Sequence, residues 1–147
     1  MKILVAYDGT LQAKDALRHG VQKVKEAGGE VVALHVFNSN LFVDYDVFGA
    51  EEAARLESMR LAAEARKILA ETGDGVKARV IVTEGDPEEE TMNFAREYNV
   101  DLLLCSPSCK SIIRSFKMLL GDQGSEVPKD ATIAGTNEPG VYVVARR

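Results

Sequence analysis

Val100-Asp101-Leu102-Leu103-Leu104-Cys105-Ser106-Pro107-Ser108-Cys109 is the stretch that decides how this chain is read. Asp101 to Cys105 is an apolar run of strand length, the following polar residues break it, and an amphipathic helix is expected from Lys110. In open α/β sheets, such a strand-to-helix turn holds phosphates on backbone N–H groups that glycine lets approach closely. Here serine, proline and cysteine occupy the turn. The frame of a binding site is expected, with its phosphate grip in question.

The same alternation extends in both directions. Lys2 to Tyr7 is a short, almost continuous apolar run, as in a strand covered on both faces, and Asp8-Gly9-Thr10 ends it. Leu11 to Ala27 spaces Ala13, Ala16, Leu17, Val21 and Val24 as a helix that Gly28-Gly29 stops. Glu30 to Phe37 is a second strand, and Asn38 to Gly49 an unusually apolar connection. Ala50 to Glu71 is rich in helix formers, with Ala54, Leu61, Ala65, Ile68 and Leu69 as its buried stripe. Lys77 to Thr83 alternates as a third strand. Asp86 can then cap a helix with Pro87 in its first position and Glu89 completing a capping box, running to about Tyr98. After the fourth strand come a short helix from Lys110 to Leu120 and an irregular stretch from Gly121 to Gly140, in which a partial helix near Ser125 is allowed. Val141 to Ala145 is a fifth strand. Strand and helix in alternation imply parallel strands joined by right-handed crossovers, hence one three-layer αβα domain over residues 1–147.

Composition narrows the function. The 147 residues suit one domain, and 46% hydrophobic with 28% charged residues is ordinary for a globular protein. A net charge of −5 gives no electrostatic reason to expect nucleic acid or an anionic membrane as partner. The N-terminal apolar run is too short for a signal peptide, no segment reaches membrane-spanning length, and two cysteines are no disulfide framework, so a cytoplasmic setting is expected. Cys105 reads as a small core residue and Cys109 as the more reactive thiol. Two thiols without a nearby histidine make a poor zinc site, so no metal is expected. His19 and His35 have no catalytic partner in sequence and read as structural.

Three segments resemble the universal stress protein family: Ile3-Leu4-Val5-Ala6-Tyr7-Asp8-Gly9-Thr10, then Ala33-Leu34-His35-Val36, and, most specifically, Glu84-Gly85-Asp86-Pro87 followed by Phe94-Ala95 and Asn99-Val100-Asp101-Leu102-Leu103-Leu104. The resemblance covers nearly the whole chain. It implies a Rossmann-like fold of the adenine nucleotide alpha hydrolase type, with a five-stranded parallel sheet in the order 3-2-1-4-5. Any ligand would lie between the ends of strands one and four, where the switch-point rule also puts it. In nucleotide-binding members an aspartate ending strand one faces the adenine or ribose and a valine ending strand two lines the base pocket. Asp8 and Val36 match those positions. Read by themselves, Asp8 is a turn cap and Val36 a core residue.

The chain departs from the family at the phosphate loop. Nucleotide-binding members carry glycine, two residues, glycine, nine residues, then glycine followed by serine or threonine. Here the first two glycines fall on Ser106 and Cys109. The third corresponds to Gly121, followed by Asp122, or to Gly124-Ser125 at a longer spacing. Side chains at Ser106 and Cys109 restrict φ and fill phosphate space, Pro107 deletes an N–H donor, and Asp122 repels a triphosphate. Against this, Ser106, Ser108 and Ser111 offer hydroxyls, and Lys110, Arg114 and Lys117 form a basic stripe that also reads as the solvated face of a helix.

The expectation is therefore a non-enzymatic stress-response module with ATP or AMP binding weak or lost. The alternative is an adenine-nucleotide switch whose candidate site is Asp8, Val36, Ser106, Ser108, Cys109 and Gly121. No catalytic residue is expected: the chain has no Walker lysine motif and no recognisable general base, although weak ATPase activity stays open. A receiver domain would need an aspartate ending strand three, where Thr83-Glu84-Gly85 stands. In the family the last strand pairs with its copy, so a homodimer through Val141, Tyr142, Val143 and Val144 as a bare sheet edge is expected.

Overall fold

The computed structural model describes residues 1–37, 50–105, 125–126 and 142–145. Local chemistry starts and stops its helices. Thr10, in extended conformation, accepts the Ala13 N–H on Oγ1 at 3.1 Å and so opens α1 (Leu11–Ala27). Gly28, at φ +79°, ends it with its N–H on the Val24 carbonyl at 2.8 Å. Asp86 accepts the Glu89 N–H at 3.0 Å and opens α3 (Pro87–Glu97), with Pro87 in the first turn as expected. Between them, α2 (Ala50–Thr72) buries Leu61, Ala65, Ile68 and Leu69 of the anticipated stripe.

The strands are β1 (Lys2–Ala6), β2 (Glu30–Phe37), β3 (Lys77–Glu84), β4 (Leu102–Cys105), β5 (Ser125–Glu126) and β6 (Tyr142–Ala145). They form one sheet in the order β3-β2-β1-β4-β6-β5. β1 to β4 are mutually parallel, with Val5 opposite Ala33 on one side and Leu104 on the other. Successive side chains point to opposite faces, so each central strand feeds two cores. Ile3, Val5, Val31, Ala33, Leu102 and Leu104 pack beneath α1 and α2. Leu4, Ala6, Val32, Leu34, Leu103 and Cys105 pack beneath Met92, Phe94 and Ala95 of α3. Covering on both faces explains why these strands read as continuous apolar runs. No helix among the described residues is long and apolar enough to cross a membrane.

Three expectations are corrected on the far side of β4. The last strand is not parallel: β6 runs antiparallel to β4, with Tyr142 opposite Cys105 and Ala145 opposite Leu102. A parallel strand needs a crossover, usually helical. The sequence before Tyr142 is rich in Gly, Pro, Asp and Thr, which work against such a helix. Ser125 begins no helix, because Ser125–Glu126 is a strand flanked in sequence by Gly124 and Pro128, both helix breakers. Nor is the expected edge bare at Val143 and Val144, and Val141 lies outside the described residues. Ser125 and Glu126 pair with Val144 and Val143 on the side away from β4, and covering an exposed strand is a usual way to blunt an edge. The anticipated connection at 38–49, the helix at 110–120 and most of 121–140 lie outside the described residues.

α1 approaches the sheet at Gly20. A Cβ there would stand 3.3 Å from Leu104 and 3.4 Å from Ile3, so helix and sheet meet where a side chain is missing. Gly20→Leu is expected to lower stability by about 1–3 kcal/mol through overpacking. Urea denaturation followed by circular dichroism checks this, and an unchanged midpoint would contradict the close approach.

Candidate functional site

The switch point lies between the carboxyl ends of β1 and β4, where the chain leaves β1 toward β2 on one side while β4 closes the other. β1 leaves the sheet through Tyr7-Asp8-Gly9-Thr10. The Tyr7 N–H still bonds the Leu34 carbonyl at 2.9 Å, extending the ladder by one residue. Asp8 then turns the chain. Its Oδ1 accepts the Thr10 N–H at 3.1 Å and the Thr10 hydroxyl at 2.6 Å, while Thr10 Oγ1 accepts from Ala13. The carboxylate thus acts as a turn cap, as its sequence position suggested. Gly9 has φ +79°, a backbone angle that favours glycine, and Leu61 of α2 packs against it.

Val36 is half-buried against the core beneath α3. Ala6 pairs with Leu34, so the register continued by two residues sets Val36 level with Asp8 at the same edge. Cys105 ends β4, fully buried in that core. Asp8, Val36 and the end of β4 therefore share one rim of the sheet. Ser106, Ser108, Cys109 and Gly121 lie outside the described residues.

Two long-range polar clusters beside this rim escaped sequence reasoning. His35 Nδ1 is 2.9 Å from the Tyr7 carbonyl and Nε2 is 3.0 Å from Ser58 Oγ, which is itself buried. A carbonyl only accepts, so Nδ1 carries the hydrogen toward Tyr7, while Nε2 is hydrogen-bonded to the Ser58 hydroxyl. His35 thus ties β1, β2 and α2 together, the structural role expected of it. In the second cluster, Glu64 Oε1 accepts the Tyr7 hydroxyl at 2.6 Å and meets Lys14 Nζ at 3.2 Å, and Oε2 meets Arg60 Nη1 at 3.3 Å. Burial, and then the Glu64 carboxylate, pushes the Tyr7 hydroxyl well above the ordinary phenol range. The Tyr7 hydrogen bond, followed by Lys14, holds Glu64 below the ordinary carboxylate range. The helix pair Arg60–Glu64 was legible from its spacing, but Tyr7 is 57 residues from Glu64 and left no local signal. Among the described residues, no group of three or more His, Cys, Asp or Glu is placed to hold a metal ion.

A carboxylate whose pKa is depressed on folding adds stability that is fully present above its unfolded value and is lost as pH falls through the folded value. For Glu64 that loss begins below its ordinary 4.5. Glu64→Gln is expected to cost about 1 kcal/mol at neutral pH and to flatten the acid limb of the stability curve below that point. Thermal melts of both proteins across that range check it, and parallel acid limbs would contradict the assignment.

Comparison with known proteins agrees with this fold. The family model described as the universal stress protein family matches residues 1–133. Universal stress protein MJ0531 of Methanocaldococcus jannaschii is 28% identical over 134 residues, covering 88% of this chain and 76% of the relative. Among solved structures, a universal stress protein family member from Burkholderia pseudomallei superposes with a TM-score of 0.64 at 24% identity, over 79% of this chain and 89% of that one. A family protein from Arabidopsis thaliana, solved with AMP bound, does so with a TM-score of 0.55 at 16% identity, over 81% and 84%. At those identities the two structures bear on the fold alone. The family model spans nine-tenths of the sequence, from β1 through β4 and beyond, so this chain belongs to the universal stress protein family.

Proposed function

We propose that this protein is a non-enzymatic stress-response module that acts as a homodimer, with adenine-nucleotide binding weakened or lost. One observation carries the reading. Immediately after β4, where the family's phosphate-binding glycines belong, stand Ser106 and Cys109. A Cβ at each restricts the backbone and takes up space that a phosphate would enter. Pro107 supplies no N–H. The reading assigns no catalytic residue. Two cysteines without a disulfide framework support a cytoplasmic setting.

The second reading is a regulatory switch that binds ATP or AMP through the altered loop. The position of Asp8 and Val36 on one rim at the end of β4 favours it. So does the AMP in the Arabidopsis relative. In this reading Asp8 and Val36 frame the base, and Ser106, Ser108, Cys109 and Gly121 surround the phosphates.

Titration calorimetry with ATP and AMP separates the two readings. The first expects little or no heat with the wild type. It expects affinity to rise by about tenfold or more in Ser106→Gly, Cys109→Gly, where backbone access is restored. Tight wild-type binding would establish the second reading. Undetectable binding by both proteins would mean that Asp8 and Val36 no longer frame an adenine pocket.

A further inference from the structure

Among the described residues β3 is the outermost strand on its side of the sheet, and none of its eight residues is buried. The Gly85 N–H bonds the Phe37 carbonyl at 3.0 Å, so alternation turns the N–H and C=O groups of Ala78, Val80 and Val82 away from β2. No proline or bulge interrupts that row. Two contacts close off part of the edge. Arg55 of α2 pairs with Glu84 at one end, and on the α3 side Arg79 lies over the Tyr98 ring, 5.1 Å from its centroid. The α2 side between them stays open. A groove of about 560 Å³ is lined there by Arg66, Leu69 and Ala70 of α2 and by Val76, Ala78 and Val80. The Arg55–Glu84 pair at one end and this groove at the other align α2 antiparallel to β3. Met59, one turn on from Arg55, is thereby level with Val82, two residues back from Glu84. Both are exposed, Met59 to 66% and Val82 to 43%, so the groove continues along the strand as an apolar lip. Arg66 stands on that lip. Its neighbours three and four positions away on the helix are Ala62, Ala63, Leu69 and Ala70, and among the described residues it makes no ion pair.

We propose that this edge binds an extended peptide segment of another protein, added as a strand beside β3, apolar at alternate positions and acidic at the one facing Arg66. The inference goes beyond the nucleotide and homodimer readings and needs neither. The outward groups of Ala78, Val80 and Val82 supply main-chain bonds that hold a peptide extended whatever its sequence. Alternate side chains of the added strand turn toward α2, where Met59, Ala63 and Ala70 overhang it. The guanidinium of Arg66 offers a carboxylate there a forked pair of donors. Asp74 lines the lower end of the same groove, so an acidic residue is favoured beside Arg66 and repelled below it, which sets the register of the peptide. The open main chain favours a peptide over an apolar small molecule, which has no use for those donors and acceptors.

The test titrates isotope-labelled protein with synthetic peptides of about seven residues, apolar at alternate positions, with glutamate or lysine at the centre. The wild type is expected to bind the glutamate peptides with dissociation constants on the order of 100 µM, shifting the amide signals of Ala78, Val80 and Val82. Arg66→Glu is expected to bind them about tenfold more weakly and to prefer the lysine peptides. Val82→Pro removes an outward N–H and no bond to β2, and is expected to bind neither set. No binding of any peptide at about 1 mM would overturn the proposal, as would shifts confined to residues away from β3. So would a folded Val82→Pro that binds like the wild type, or glutamate and lysine peptides bound alike by wild type and Arg66→Glu. Should Val82→Pro fail to fold, the charge exchange at exposed Arg66 decides. Shifts of the same amides that grow with protein concentration in the absence of peptide would give the edge to a second copy and overturn the peptide assignment.

Discussion

β1 is held on all four sides, and the rest of the structure takes its position from it. Its backbone bonds β2 along one edge and β4 along the other. Ile3 and Val5 are buried beneath α1 and α2, and Leu4 and Ala6 on the α3 side. A strand so enclosed has no freedom of register, because a slip by one residue would exchange its two faces. The point at which the chain leaves β1 is therefore fixed in space. Gly9 adopts the left-handed backbone there, with Leu61 of α2 packed where a side chain would be. His35 and Glu64 fasten the same end of β1 to α2 through the Tyr7 carbonyl and hydroxyl.

This constraint separates the frame of the site from its grip. The frame consists of the end of β1, the end of β2 and the end of β4, and packing on both faces of the sheet sets it. Asp8, Val36 and Cys105 reach the rim because their strands do. The grip depends on the loop after Cys105, where the cost of holding a phosphate is set residue by residue through φ and through space for the backbone to approach. A family fold can thus persist in full while its ligand chemistry changes at two or three positions.

The parts of the fold legible in the sequence are those governed by local chemistry. α1 and β2 span the expected residues because Thr10, Gly28 and the apolar periods lie within a few residues of what they control. The capping role of Asp86 and the turn role of Asp8 are local for the same reason. The direction of β6 was not legible. Val141 to Ala145 carries the same apolar pattern whichever way it runs, and only its pairing with β4 decides. The outer pairing of Ser125 and Glu126 is likewise a contact between distant segments, and two residues are too few to show a period. At the candidate site, the places of Asp8 and Val36 follow from where their strands end, whereas the bonds from Tyr7 to Glu64 and from His35 to Ser58 join residues tens of positions apart.

The central claim is that the family's nucleotide site survives here as a frame without its glycine grip. The most direct test is to denature the protein as purified and chromatograph what it releases. The account predicts no stoichiometric adenine nucleotide in the supernatant. ATP or AMP released at one equivalent per chain would contradict it.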